Sequence, residues 1–204
     1  MMEVRKAAVS MERCEWDREP DEAELERAAA LGFPQAELAY QSLIERGSVL
    51  SMVNLGSQYE FRPRENGGPD LTLAEYWYKK SIDAGSAVAT LPVGYFYLRQ
   101  KDYEEARCVF AVGAERGYAP SMLRLAHLYA NGLGVEKNEA KTDELLQRAA
   151  KLGNLWAKIS RAERYMNTGG NYLKVAKGLC LLCVAAIQFR IERRFRPWSE
   201  NLKK

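Results

Sequence analysis

The chain has 204 residues, 47% of them apolar and 28% charged, with a formal net charge of +3. That balance excludes a chain too polar to bury a core, and it lacks the strong basic excess of a dedicated nucleic-acid binder. One histidine excludes a multi-histidine metal site, and the longest strongly apolar run, 178–189, is too short for a bilayer span of roughly 20 residues.

In chain order, residues 1–20 alternate charges with short apolar runs and read as a flexible or short helical N-terminus without a signal-peptide core. Residues 21–31 and 34–46 read as a helix pair, with Pro34 suited to the first turn of the second helix. From there four glycines, Gly47, Gly85, Gly117 and Gly153, act as a ruler. Four residues after each comes a small residue (Ser51, Ala89, Ser121, Ala157), and twelve after comes a tyrosine (Tyr59, Tyr97, Tyr129, Tyr165). Eleven before each stands Ala36, Ala74, Ala106 or Thr142, and seven before stands Tyr40, Tyr78, Phe110 or Leu146. Separations of three, four and seven put such residues on one helical face, and the glycine closes the helix in the left-handed conformation. Each unit is therefore helix A, loop, helix B, glycine.

Nine residues after each glycine a small residue recurs (Gly56, Gly94, Ala126, Ala162), which predicts close approach of a neighbouring helix. The A-to-B loop of the unit after Gly85 is tight, with Asp102 as N-cap. The loop after Gly117 runs 131–135 with Asn138 as cap, and the loop after Gly47 is a long Pro- and Gly-punctuated insertion over 62–70 that regular helix does not accommodate. Trp156 to Met166 is predicted as the A helix of a fourth unit, 167–170 as its turn, and Tyr172 to about Arg193 as a final helix, apolar almost all round from Leu179 to Ile187. Such a helix should be covered by the preceding unit or by a second subunit. The segment Arg190 to Lys204 carries a net +4 and leaves the rest of the chain at −1. The organisation is a single repeat domain over 21–190, with a capping pair 21–47, units 48–85, 86–117 and 118–153, a degenerate unit 154–190, and a basic tail 191–204.

The stretch Ser121 to Gly153 resembles the Sel-one-like repeat, with its small-x3-L-(G/A)-x2-Y-x2-G-x-G-V core and its closing A-A-x2-G. The unit from Ser51 to Gly85 matches in N-L-G-S-Q-Y and A-E-Y-W-Y-K-K-S-I-D-A-G. The unit from Ala89 to Gly117 has lost the G-x-G-V loop and is similar to the related tetratricopeptide repeat, and the fourth carries Arg161 at the usual leucine position. The resemblance covers roughly 34–190. It implies an all-α fold, a right-handed α-solenoid of antiparallel helix pairs whose concave face, lined by the A helices, holds protein or peptide partners. It also implies adaptor or scaffold roles of the kind such proteins play in signalling, membrane-protein quality control and bacterial host interaction.

The candidate groove positions lie six, ten and fourteen residues after each glycine, and from them Tyr95, Arg99, His127, Asn131 and Glu163 are chosen as partner-binding residues. Two readings stand for His127, a groove contact or an ordinary surface or packed histidine. Cys180 and Cys183 form C-x2-C inside an apolar helix and read as buried core thiols, since zinc needs further soft ligands. Carboxylate pairs such as Glu104-Glu105 fall on solvated helix faces, so no catalytic residue, cofactor or metal is expected. The expected partner is a protein or peptide, in a reducing, cytoplasmic compartment. Alternatives are a homodimer through the apolar C-terminal helix and Trp198, and a nucleic-acid or lipid contact through the tail, whose cations also suit a plain helix C-terminus.

Overall fold

The structure is a computed structural model, and it describes residues 22–167 together with 176, 178–184, 186, 187 and 189. The predicted N-terminal segment, the turn at 168–170 and the basic tail lie outside the described residues. Among the described residues the elements are helices α1 (Glu22–Ala30), α2 (Gln35–Glu45), α3 (Val49–Glu60), α4 (Leu71–Asp83), α5 (Thr90–Arg99), α6 (Tyr103–Glu115), α7 (Ala119–Asn131), α8 (Glu139–Lys151) and α9 (Leu155–Asn167), with a 3-10 turn, Arg64–Asn66, inside the long first loop. The residues from 178 to 184 are helical as well. No strand occurs among the described residues. The chain divides into two compact units, Met1–Val93 and Gly94–Lys204.

Each helix boundary follows from local chemistry that recurs with the ruler. All four closing glycines have positive φ, between 83° and 94°. At Gly117 that conformation turns the chain so that the Tyr118 N–H donates back to the Gly113 carbonyl (2.9 Å), while the Gly117 N–H reaches the Ala114 carbonyl (3.2 Å), satisfying carbonyls the helix end leaves open. After the other three glycines the next residue caps the following A helix by its side chain, whereas Tyr118 makes no side-chain cap. Ser48 Oγ accepts from the Ser51 N–H (3.1 Å), Ser86 Oγ from the Ala89 N–H (3.0 Å), and Asn154 Oδ1 from the Ala157 N–H (2.9 Å). The B helices start on Asp70, Asp102 and Asn138, whose side chains accept from the N–H three residues on, so the predicted caps at Asp102 and Asn138 are present.

In the first unit, α3 packs between α2 and α4. Tyr40, Leu55 and Tyr78 are fully buried between them. The Tyr78 hydroxyl donates to the carboxyl of Glu60 (2.8 Å), itself only 6% exposed. Gly56 permits this packing, since a Cβ there would stand 2.7 Å from the Tyr78 ring. The Tyr59 hydroxyl donates to the Glu37 carboxylate, and burial together with that acceptor pushes its pKa up to about 12. The long loop leaves this corner with the Arg62 guanidinium stacked 4.0 Å from the centre of the Phe33 ring.

In the second unit, α7 packs on both α6 and α8, and α8 on α9. Ala106, Phe110, Ala126, Leu146 and Ala162, all ruler positions, are buried. Phe110 reaches this position because residue 94 lacks a side chain, an ideal Cβ there lying 2.2 Å from the Phe110 ring. Burying a phenyl ring of this size contributes about 2–3 kcal/mol, more than the roughly 1 kcal/mol that a helical glycine costs.

Candidate functional site

All five predicted partner-binding residues lie in the second unit, on the A helices α5, α7 and α9. The faces these helices turn to their B helices are fixed by the small residues at offset nine. Ala126 is buried, and Thr142 of α8 bonds to its carbonyl oxygen (3.5 Å). The opposite flank of each A helix is what remains for a partner. There Tyr95 and His127 are half-buried, and Arg99, Asn131 and Glu163 are exposed.

The structure brings Tyr95 and His127 together through a residue the sequence reading did not select. The Arg124 guanidinium lies 4.9 Å from the centre of the Tyr95 ring. One turn along the same helix is His127, and burial, with the Arg124 cation second, holds its pKa below the usual histidine value. A stacked guanidinium keeps its in-plane N–H donors available while its face is occupied. Tyr95 is steadied from beneath by the edge of Phe110 (ring centroids 6.3 Å apart, planes at 86°). Gly94 therefore admits Phe110, Phe110 seats Tyr95, and Tyr95 carries Arg124.

The remaining predicted residues stand apart from this stack. The Asn131 amide donates to the His127 carbonyl oxygen (2.8 Å), which fixes it on the same helix. Arg99 is at the C-terminal end of α5. Glu163 is on α9, beside Arg164, whose guanidinium is engaged by Glu139 and by Asp143 (2.9 Å) of α8.

Two expectations need correction. The offset-six positions do not form a consistent exposed row, since Leu123 is 2% exposed and Val53 is buried while Leu91 and Ile159 are half-buried. A helix turns 100° per residue, so offset seven accompanies ten and fourteen, and Arg124 and Ser160 occupy it. Cys180 and Cys183 are exposed, not buried. The final helix directs them, with Leu179, Val184 and Ile187 (60% exposed), away from the contact that Gly178 makes with Ala162 and Met166 of α9.

Chemically, this flank offers a stacked cation, an imidazole, an amide and a carboxylate. Among the described residues no group of three or more His, Cys, Asp or Glu is arranged to hold a metal ion. No helix among them is long and apolar enough to cross a membrane.

The Sel1 repeat family pattern matches residues 49–86 and 119–154. Among solved structures, a Sel1 repeat protein from Oxalobacter formigenes is similar at 25% identity, with a TM-score of 0.61, over 74% of this chain and 61% of that one. The protective antigen c5321 of uropathogenic Escherichia coli, which displays an SLR fold, is similar at 18% identity and a TM-score of 0.61, over 88% of this chain and 48% of that one. The immunity protein Pa5087 of Pseudomonas aeruginosa shares the fold at 23% identity and a TM-score of 0.54, over 84% of this chain and 69% of that one. The chain thus spans less than two thirds of the length of the first two relatives. Comparison with curated proteins gave no match. The fold class is that of the α–α superhelical repeats, as the repeat spacing predicts.

Proposed function

The chain belongs to the Sel1-like repeat family, within the tetratricopeptide-like superfamily, and from that premise we propose that it is a non-enzymatic interaction module, an adaptor or scaffold. It holds a protein or peptide partner on the A-helix flank of the second unit, through Tyr95, Arg99, His127, Asn131 and Glu163 with Arg124 added to them. The observation that carries this reading is the Arg124–Tyr95 stack, which links two neighbouring A helices on the flank their B helices leave uncovered. Polar side chains held in place by packing lose little entropy on binding, which favours recognition of a partner's backbone and side chains.

Affinity capture from the source cell, followed by titration of the captured partner, tests the reading. Tyr95→Ala combined with His127→Ala weakens partner binding about tenfold or more while leaving the unfolding midpoint within a few degrees. Unchanged affinity in the double variant contradicts it. The exposed Leu179, Val184 and Ile187 favour a second reading, in which two copies of the chain pair through the final helix. Light scattering decides it, since a strict monomer at high concentration excludes that assembly.

A further inference from the structure

In the second unit the A helices α5 and α7 differ in charge from the B helix α6 between them. The residues of α5 from 94 to 99 and those of α7 together contain two cations, Arg99 and Arg124, and no acid. The intervening B helix α6 carries Glu104, Glu105 and Glu115 against a single Arg107. On α9 the same flank turns acidic at Glu163, and the cation next to it, Arg164, is already held by Glu139 and Asp143. At offsets seven, ten and fourteen the flank therefore carries Arg124 and Arg99 on α7 and α5 and Glu163 on α9, while the other charges of α9, Lys158, Arg161 and Arg164, stand at other offsets.

We infer that the partner presents an acidic peptide segment to the α5–α7 end of this flank, a carboxylate seating on the Arg124 guanidinium between Tyr95 and His127, with Arg99 as the second cation. The inference rests on the interaction reading above and adds the chemistry of the partner. Stacking on Tyr95 fixes the plane of the Arg124 guanidinium, and a planar guanidinium pairs with a carboxylate through two parallel N–H donors. Asn131 and His127 supply hydrogen-bonding groups suited to a peptide backbone. A nucleic-acid strand fits less well. It needs a continuous row of cations for its phosphates, whereas this flank has two and then meets Glu163, which repels them. An anionic bilayer needs apolar side chains to insert, and the flank presents polar ones.

The test uses the full chain and an N-terminally labelled hexaglutamate peptide, read by fluorescence anisotropy at low salt. Hexalysine, a twelve-nucleotide single-stranded DNA and phosphatidylserine vesicles serve as comparison probes. Hexaglutamate binds in preference to the other three, and Arg124→Gln weakens it about tenfold. Arg124→Lys, which keeps charge but not the planar fork, gives an intermediate loss, and Arg193→Gln with Arg194→Gln in the tail leaves binding nearly unchanged. Circular dichroism confirms that each variant folds, and Arg124→Lys supplies the reading if Arg124→Gln does not. Equal binding by wild type and both Arg124 variants overturns the inference, as does a loss carried by the tail variant or tighter binding of DNA or vesicles through Arg124. If the captured partner depends on Tyr95 and His127 but hexaglutamate does not displace it, the acidic-partner inference falls and the interaction face stands. If the partner ignores Tyr95 and His127, both fall.

Discussion

Gly94→Ala tests the packing that supports the proposed face. A Cβ at residue 94 stands 2.2 Å from Phe110 Cε1, 2.4 Å from Cζ and 2.7 Å from Cδ1. Normal carbon contacts are about 3.5–4.0 Å, so the ring must retreat by more than about 1 Å. Phe110 is completely buried, so the ring has no solvent side to retreat into. Overpacking of this kind costs about 1–3 kcal/mol, and the short distances put this site at the upper end. Alanine regains about 1 kcal/mol of helix propensity over glycine. The net loss is about 2 kcal/mol, which for a chain of this size lowers the melting temperature by about 4–8 °C. Thermal and urea unfolding followed by circular dichroism measures it. Because Phe110 also seats Tyr95, the same substitution weakens partner binding beyond the effect on stability. Phe110→Leu relieves the clash, so the double variant is less destabilised than the two singles predict, by about 1–2 kcal/mol. A Gly94→Ala protein that melts above wild type, as helix propensity alone requires, refutes the reasoning.

Further outcomes follow from the same geometry. His127 is held neutral in the folded protein relative to an unfolded histidine of pKa about 6.5, chiefly by burial and then by Arg124. The unfolded chain therefore binds the extra proton first, so stability contributed at this site is complete above about pH 7 and declines as pH falls through 6.5 toward the lower folded value. Melting curves from pH 5 to 8 for wild type and His127→Gln isolate this slope, and superimposable curves count against it. Tyr78→Phe leaves the buried Glu60 carboxyl with one donor fewer and costs about 1–3 kcal/mol in urea unfolding, whereas a neutral effect removes that bond from the account.

The ruler was legible in the sequence because its positions are set by one unit's own geometry. The residues at offsets minus eleven, minus seven, four and nine are buried wherever they occur, from Ala36 to Ala162. Caps at Asp102 and Asn138 were legible for the same reason, since an N-cap bonds within three residues. The caps at Ser48, Ser86 and Asn154 recur one residue after the glycine, and Tyr118 after the third glycine broke the pattern that would have revealed them. Arg124 was missed because offsets six and seven are both helical neighbours of ten. Which of them is covered depends on a helix from another part of the chain, and Leu123 is the one that packing removes from solvent. The cysteines of the final helix were misread for a related reason. An apolar run does not say which of its sides has a neighbour, and Gly178 against Ala162 marks the packed side.

The single histidine makes the central claim directly measurable, because one imidazole reports on the middle of the proposed face without assignment. In a carbon–proton NMR titration of the full chain with its captured partner, the His127 ring resonances shift progressively and saturate with the binding curve measured independently. Resonances that stay fixed while the partner binds to saturation contradict an interface on the A-helix flank of the second unit.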